Sequence, residues 1–356
     1  MTPPLITETA PGPHASVQVR PLQSAEVARW NAFVVACPEA TFFHLAGWQQ
    51  VLERAFGHRT YYMYAECDGR IEGILALGHL RSWLFGNALV SLPFCVYGGV
   101  AATSEPARQA LENTAREMAQ RLNVDYLELR QREPHNTGWP TKDLYCTFRK
   151  MLDPDPEKNY LAIPRKQRAM IRKGMDAGLQ STLDQGVDGF YQTYADSVRR
   201  LGTPVFSRKY FQVLKEVFGK DCEVLTVTRD GRTVSSVMSF YFRDEVLPYY
   251  GGGTLEAREV AGNDFMYWEL MRRACERGIR VFDYGRSKKG TGPYHFKKNW
   301  GFTPETLNYV YWLVKAKEVP DINPLNPKYH LFIEAWKRLP LTVTKMIGPL
   351  ISRNLG

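Results

Sequence analysis

The hydrophobic and polar positions of this chain spell out one order of elements twice. In the first pass, residues 25–35 and 45–55 carry helical patterns, and 61–66 and 70–81 read as strands around an Asp68-Gly69 turn, a hairpin signal. Residues 89–97 form a third extended run, closed by Gly98 and Gly99. From Ala107 the apolar residues Ala107, Ala110, Leu111, Ala115, Met118, Ala119 and Leu122 recur at the spacing of one buried helix face, and 124–129 returns to strand. In the second pass, 190–201 and 210–218 predict helices, and strands 223–228 and 233–242 flank an Asp230-Gly231 turn. Residues 246–250 then run as a strand into Gly251-Gly252-Gly253, Asn263-Asp264 caps a helix through Arg277, and 280–284 is a strand.

The repetition extends to identities. Asp68-Gly69-Arg70 and Asp230-Gly231-Arg232 stand 162 positions apart (230 − 68), as do Val51-Leu52 and Val213-Leu214, and Tyr97-Gly98-Gly99 answers Tyr250-Gly251-Gly252. A repeat of this length is a duplicated domain rather than a solenoid unit. The expected organisation is a leader over 1–15, a first domain over 16–152, a second over 153–316 containing a link helix at 164–178, and an aromatic, basic tail over 317–356. The order of elements within each copy implies an α+β layer fold, and two such copies side by side leave a cleft where ligands bind.

Composition narrows the setting. An apolar fraction of 44% over 356 residues describes a folded two-domain protein, and no apolar run approaches the roughly 18 residues of a membrane span. The first 15 residues lack the basic and apolar regions of a signal peptide and are expected to be disordered. Six scattered cysteines without a CxxC pair imply a reducing compartment, hence a cytoplasmic protein, and no cluster has the spacing of metal ligands. A net charge of +9 favours acidic partners. In the tail, apolar residues from Phe332 to Leu350 recur near helical spacing among Lys337, Arg338, Lys345 and Arg353. That pattern suits either peripheral contact with the inner membrane face or docking on the protein itself, with Pro340 and Pro349 expected to break it into short pieces.

Three segments could carry chemistry. In the link helix, Pro164 suits the first turn, Arg165, Arg168 and Arg172 fall along one stripe, and Lys166 and Lys173 lie beside them. Guanidinium groups grip phosphate, so the stripe reads either as a clamp for a phosphorylated substrate or as a solvated linker face. The second segment, residues 282–302, ends a strand at Asp283 and continues through Gly285, Arg286 and Lys288 to Tyr294, His295, Phe296 and Lys297. Its glycines and lysines suit an anion or an ordinary turn, and the spacing matches neither a Walker loop nor GxGxxG. The third is Tyr250-Gly251-Gly252 ahead of a helix N-terminus, either an anion cradle or a loop needing glycine. No familiar nucleophile motif occurs.

The pairing of PRKQRAMIRKGMDAGL with the later FDYGR and GPYHFKKNWGF resembles the Fem family of peptidoglycan-bridge aminoacyl transferases, and more narrowly the FemAB-like proteins associated with the exosortase/PEP-CTERM system. The resemblance runs from about Val17 to the C-terminus and includes the tail from Trp336. It implies two tandem GNAT-like acyltransferase domains related by internal duplication, and amide-bond formation on a cell-envelope or exopolysaccharide acceptor. It also implies that Phe296 and Lys297 lie where the acyl group is transferred, with Asp283 and Gly285 at the neighbouring strand end. Arg165, Arg168, Arg172 and Lys173 are then expected near the acceptor's phosphates. Lys297 becomes the candidate donor to the tetrahedral oxyanion. Tyr250, Gly251, Gly252, Arg286, Lys288, Tyr294 and His295 are expected to touch substrate. The implied donor is acyl-CoA or aminoacyl-tRNA, with no permanently bound cofactor and tRNA as a further partner. The chain departs from the pattern in two ways: it lacks an evident helical hairpin in the second copy and a QxxGxG/A loop. Two rival readings accompany this one: a CoA-dependent N-acyltransferase for a small amine, and a non-catalytic module that binds phosphorylated glycans or RNA.

Overall fold

The computed structural model describes residues 16–83, 85–135, 138–320 and 330–356; the expected leader over 1–15 lies outside them. Two sheets of mixed strands form the molecule. The first runs in the order Gln18–Pro21, Arg59–Cys67, Arg70–Ser82, Gly86–Ser91, Tyr126–Gln131, Asn308–Leu313, Thr141–Lys142. The second runs Ser287–Lys288, Tyr145–Met151, Val281–Asp283, Glu245–Gly253, Arg232–Phe242, Cys222–Arg229, Gln180–Asp184. Each contains one parallel pair, Gly86–Ser91 with Tyr126–Gln131 and Glu245–Gly253 with Val281–Asp283. A helix bridges each pair, Glu105–Arg121 and Gly262–Glu276 respectively.

The duplication is visible at atomic detail. Asp68 and Asp230 turn their hairpins at φ 49° and 50°, and both ladders slip at the same place, between Ala65 and Glu66 and between Val227 and Thr228. The register corrects one correspondence. Gly73 pairs with Ala102 and Ser235 pairs with Gly253, so the counterpart of Gly252-Gly253 is Ala101-Ala102. Tyr97-Gly98-Gly99 therefore does not match Tyr250-Gly251-Gly252. It belongs to an excursion, residues 92–100, that interrupts the third strand of the first copy and carries Leu92 and Phe94 at φ 51° and 69°.

Two further features were not predicted. Strand Tyr145–Met151 precedes the expected boundary at 152 yet pairs with Val281–Asp283 in the second sheet. Strand Asn308–Leu313 belongs by position to the second copy yet pairs with Tyr126–Gln131 in the first. The halves also meet through a packed apolar core rather than an open cleft. Phe42 stacks on Phe240 with centroids 4.5 Å apart and meets Phe218 at 4.6 Å, and Trp48 packs 5.4 Å from Phe218. Each such ring, removed from water, contributes about 1.5–3 kcal/mol.

The link helix spans Arg165–Asp176. Helix Gly262–Glu276 starts at Gly262 behind Ala261, which is left-handed at φ 55°, so the expected Asn263-Asp264 cap is not made. In the tail, His330–Arg338 and Leu341–Ser352 are helices that separate at Pro340, while Pro349 sits in the last turn of the second without breaking it. Arg199 donates to the carbonyls of Lys337 and Leu339, Ser352 donates to Val205 O, and Arg353 reaches Phe56 O at 2.6 Å. The tail is thus fastened to both halves. Among the described residues no helix is long and apolar enough to cross a membrane.

Candidate active site

Strand Val281–Asp283 ends in a carboxylate with no solvent exposure, which is tolerable only because donors surround it. Gly285 N lies 2.7 Å from its Oδ1 and Thr147 Oγ1 lies 3.2 Å from the same oxygen. Tyr97 OH and Arg149 Nη1 approach Oδ2 at 2.9 and 3.2 Å. Arg149 is also paired with Glu245. Tyr97 comes from the first copy's excursion, so this cluster joins the two halves. The chain then reverses through Gly285, whose φ of 65° favours glycine.

Helix Gly292–Asn299 raises Lys297 beneath this turn. Its Nζ lies 2.7 Å from Tyr284 O, 2.9 Å from Gly285 O and 3.2 Å from Arg286 O, with the Phe148 ring at 5.5 Å. Burial pushes the ammonium down, to about 7, against the favourable field of Asp283. An ammonium has three N–H donors. All three are taken up by the turn, so none is left for an oxyanion, and the expectation of Lys297 as oxyanion donor meets an already saturated group. Phe296 packs on Tyr267 and Trp300.

The link helix is fixed beside this corner. Gln167 donates to Asp264 Oδ1 at 2.9 Å, and Trp300 Nε1 donates to the same oxygen at 3.0 Å. Pro164 presses on Gly301, where an added Cβ would stand 3.2 Å from the proline ring. The inner face is Gln167, Ile171 and Gly174. That leaves Arg165, Lys166, Arg172 and Lys173 exposed, with Arg168 half-buried. None of these five cations makes an ion pair among the described residues, although most other arginines do.

The remaining predicted residues scatter. Arg286 stacks on Tyr145 at 4.6 Å and donates to Tyr309 OH, Lys288 lies 5.5 Å from the same Tyr145 ring, and Tyr294 meets Phe148 edge-on. His295 is exposed on the helix surface. Tyr250 is not a surface contact: its hydroxyl lies 2.7 Å from that of Tyr210 inside an aromatic core. Gly251 and Gly252 lie within strand Glu245–Gly253 rather than in a loop. A Cβ on Gly252 would strike Ser197 at 2.7 Å, and one on Gly251 would approach Tyr267 OH at 3.2 Å. Helix packing on the two faces of the sheet, not an anion, accounts for both.

The sequence reading did not single out Tyr97, Thr147, Arg149, His44 or Gln131. Beside Tyr97 lies a cavity of about 140 Å³, lined by Thr41, His44, Gly99, Arg130 and Gln131 among others. Burial pushes His44 down to about 4, so its imidazole is neutral at physiological pH. Thr41 N donates to its Nδ1, which leaves Nε2–H to donate to Gly99 O at 2.9 Å.

Residues 165–298 match the acetyltransferase (GNAT) domain model. No curated protein matches the chain. Among solved structures, the crystal structure of FemX superposes with a TM-score of 0.66 at 14% identity, covering 89% of this chain and all of that one. The C-terminal domain of a putative lysylphosphatidylglycerol synthetase from Agrobacterium fabrum gives a TM-score of 0.56 at 14% identity, covering 83% and 92%. A tandem GNAT protein from the clavulanic acid biosynthesis pathway gives 0.53 at 15%, covering 86% and 100%. At these identities the likeness is one of fold. The protein is built of tandem GNAT-like domains, and the domain matched in its second half makes it an acyltransferase by class.

Proposed function

We propose that the protein transfers an acyl group from acyl-CoA to an amine of a phosphorylated cell-envelope or exopolysaccharide precursor. Domains of the matched type use acyl-CoA as a substrate, and this reading takes it as donor rather than aminoacyl-tRNA. The amine's nitrogen bonds to the thioester carbon, the C–S bond breaks, and the departing thiolate is balanced by the proton the amine gives up. The chain's share is to hold both partners, and orientation alone can supply much of the rate. Lys297 acts as a positioning residue that pins the 284–286 turn, and Asp283 ties that turn to the first half.

One observation carries the acceptor assignment: five cations that make no ion pair among the described residues stand on the link helix, which packs beside the Asp283–Lys297 corner. Inorganic pyrophosphate is the direct probe. Calorimetry should show binding that weakens between about 50 and about 500 mM salt and is lost in the Arg165→Ala/Arg172→Ala variant. Unchanged affinity in that variant would remove the clamp. In the same reading the tail touches the inner face of the membrane through Leu331, Phe332, Met346 and Leu350, which are exposed near Arg338 and Lys345.

A further inference from the structure

We propose that the turn joining strands Arg70–Ser82 and Gly86–Ser91 is a membrane anchor that seats Trp83 in the headgroup layer of an anionic lipid surface. The anchor deepens the membrane contact proposed for the tail and rests in part on that reading: tip and tail are two attachments to one surface.

Trp83 is 97% exposed. Every other tryptophan has a place in the fold. Trp30, Trp48, Trp268, Trp300 and Trp336 are buried, and Trp139 and Trp312 pack on each other 5.5 Å apart. The turn that holds Trp83 out is itself well fixed. Its ladder pairs Ser82 with Gly86, Gly86 turns at φ 89°, and Phe85 N donates to Ser82 Oγ at 3.3 Å. Behind it, His79 Nε2 lies 2.6 Å from Asn87 Oδ1, and Asn87 N donates to Asp125 Oδ2 at 2.8 Å. Turns favour small polar residues, so an indole held at the tip calls for a partner. One tryptophan offers at most about 250 Å² of surface, against roughly 800 Å² per side for a stable protein interface. A lipid headgroup layer sets no such minimum: the ring enters the apolar boundary while its N–H stays among polar groups.

The charges at the tip favour an anionic surface. Arg81 is exposed beside the turn, and Arg59 is exposed opposite His79 on the neighbouring strand; neither makes an ion pair among the described residues. The carboxylate at Gly86, that of Asp125, is taken up by Asn87 N and by Lys315 at 3.3 Å. Glu53 accepts from the Thr60 hydroxyl. The tail reaches the same hairpin. Gly356 packs so close to Leu80 that an added Cβ would stand 2.6 Å from its Cδ1, and Leu80 precedes Trp83 by three residues, about 10 Å. Helix Leu341–Ser352, a few residues earlier, exposes Met346 and Leu350. Each attachment alone inserts few apolar groups; carried on one body, each raises the effective concentration of the other at the surface.

The test titrates the full chain with vesicles of phosphatidylcholine and phosphatidylglycerol, with and without bromine on the acyl chains. Emission should shift to the blue on binding and be quenched by the brominated lipid, because the other tryptophans are shielded within the fold. In Trp83→Ser both changes should disappear and the partition coefficient should fall by about tenfold. Binding should also weaken on neutral vesicles and between about 50 and about 500 mM salt. Wild type that binds without quenching, or Trp83→Ser that binds as tightly as wild type, would overturn the anchor and leave the tail contact standing. Met346→Ser/Leu350→Ser that binds as tightly as wild type, with Trp83 still quenched, would remove the tail contact and leave the anchor. Wild type that stays off the vesicles would overturn both. A doubled mass in lipid-free light scattering, abolished by Trp83→Ser, would assign the tip to a second copy of the chain and overturn the proposal.

Discussion

Replacing Tyr97 by Phe removes one oxygen atom from the place where the two halves are joined. That oxygen lies 2.9 Å from Asp283 Oδ2 and 2.7 Å from Thr147 Oγ1, while Thr147 Oγ1 lies 3.2 Å from Asp283 Oδ1. Three oxygen–oxygen contacts share two hydroxyl protons when the carboxylate is ionised. Both protons therefore point at Asp283, and the Tyr97–Thr147 contact contributes little. The variant loses one hydrogen bond to a charged acceptor, worth about 1.5–3 kcal/mol, and leaves the carboxylate with three donors instead of four. A loss of about 2 kcal/mol, roughly 30-fold in the unfolding constant, is expected. At about 2–4 °C per kcal/mol for units of this size, the melting temperature should fall by several degrees. Calorimetry and denaturant titration measure it, and a cycle with Thr147→Val should show coupling of about 1 kcal/mol or less. A melting temperature within about 1 °C of wild type would refute this account, because it would mean that the phenol does not serve Asp283.

Three further outcomes follow from the geometry. Lys297→Met strips the 284–286 carbonyls of their donors, so the acyl-transfer rate should fall by about tenfold or more with acceptor affinity little changed, read by steady-state kinetics beside calorimetry; equal losses in both would assign Lys297 to binding. His44 is held below its unfolded pKa, so the unfolded chain takes up the proton first and stability falls as pH drops from 6.5 towards 4. The loss reaches roughly 3 kcal/mol, and His44→Gln should flatten this dependence in denaturant titrations. Full-length protein should co-sediment with anionic liposomes while a chain lacking 330–356 stays in the supernatant; equal recovery of both in solution would remove the membrane contact.

What could be read beforehand was local. The two hairpins and the helices Glu105–Arg121 and Asp188–Arg200 are declared by turn chemistry and apolar spacing within a few residues. The 92–100 excursion was not legible, because its glycines resemble those of strand Glu245–Gly253 and only the ladder register separates them. The exchange of Tyr145–Met151 and Asn308–Leu313 rests on pairing between distant residues, which no periodicity encodes. Within the site, the cationic face of the link helix followed from spacing alone. The saturation of Lys297 depends on which carbonyls arrive beside it, and that is settled only by the tertiary fold.

The traded strands also set a timetable. During synthesis, Tyr126–Gln131 emerges long before Asn308–Leu313, the segment that pairs along its flank. At about 5–20 residues per second the ribosome needs roughly 10–40 s to deliver that segment. Until then the nascent first sheet offers an unpaired edge, the kind of surface that captures neighbouring chains or chaperones. Completion of the first sheet is therefore postponed until Asn308–Leu313 has left the ribosome.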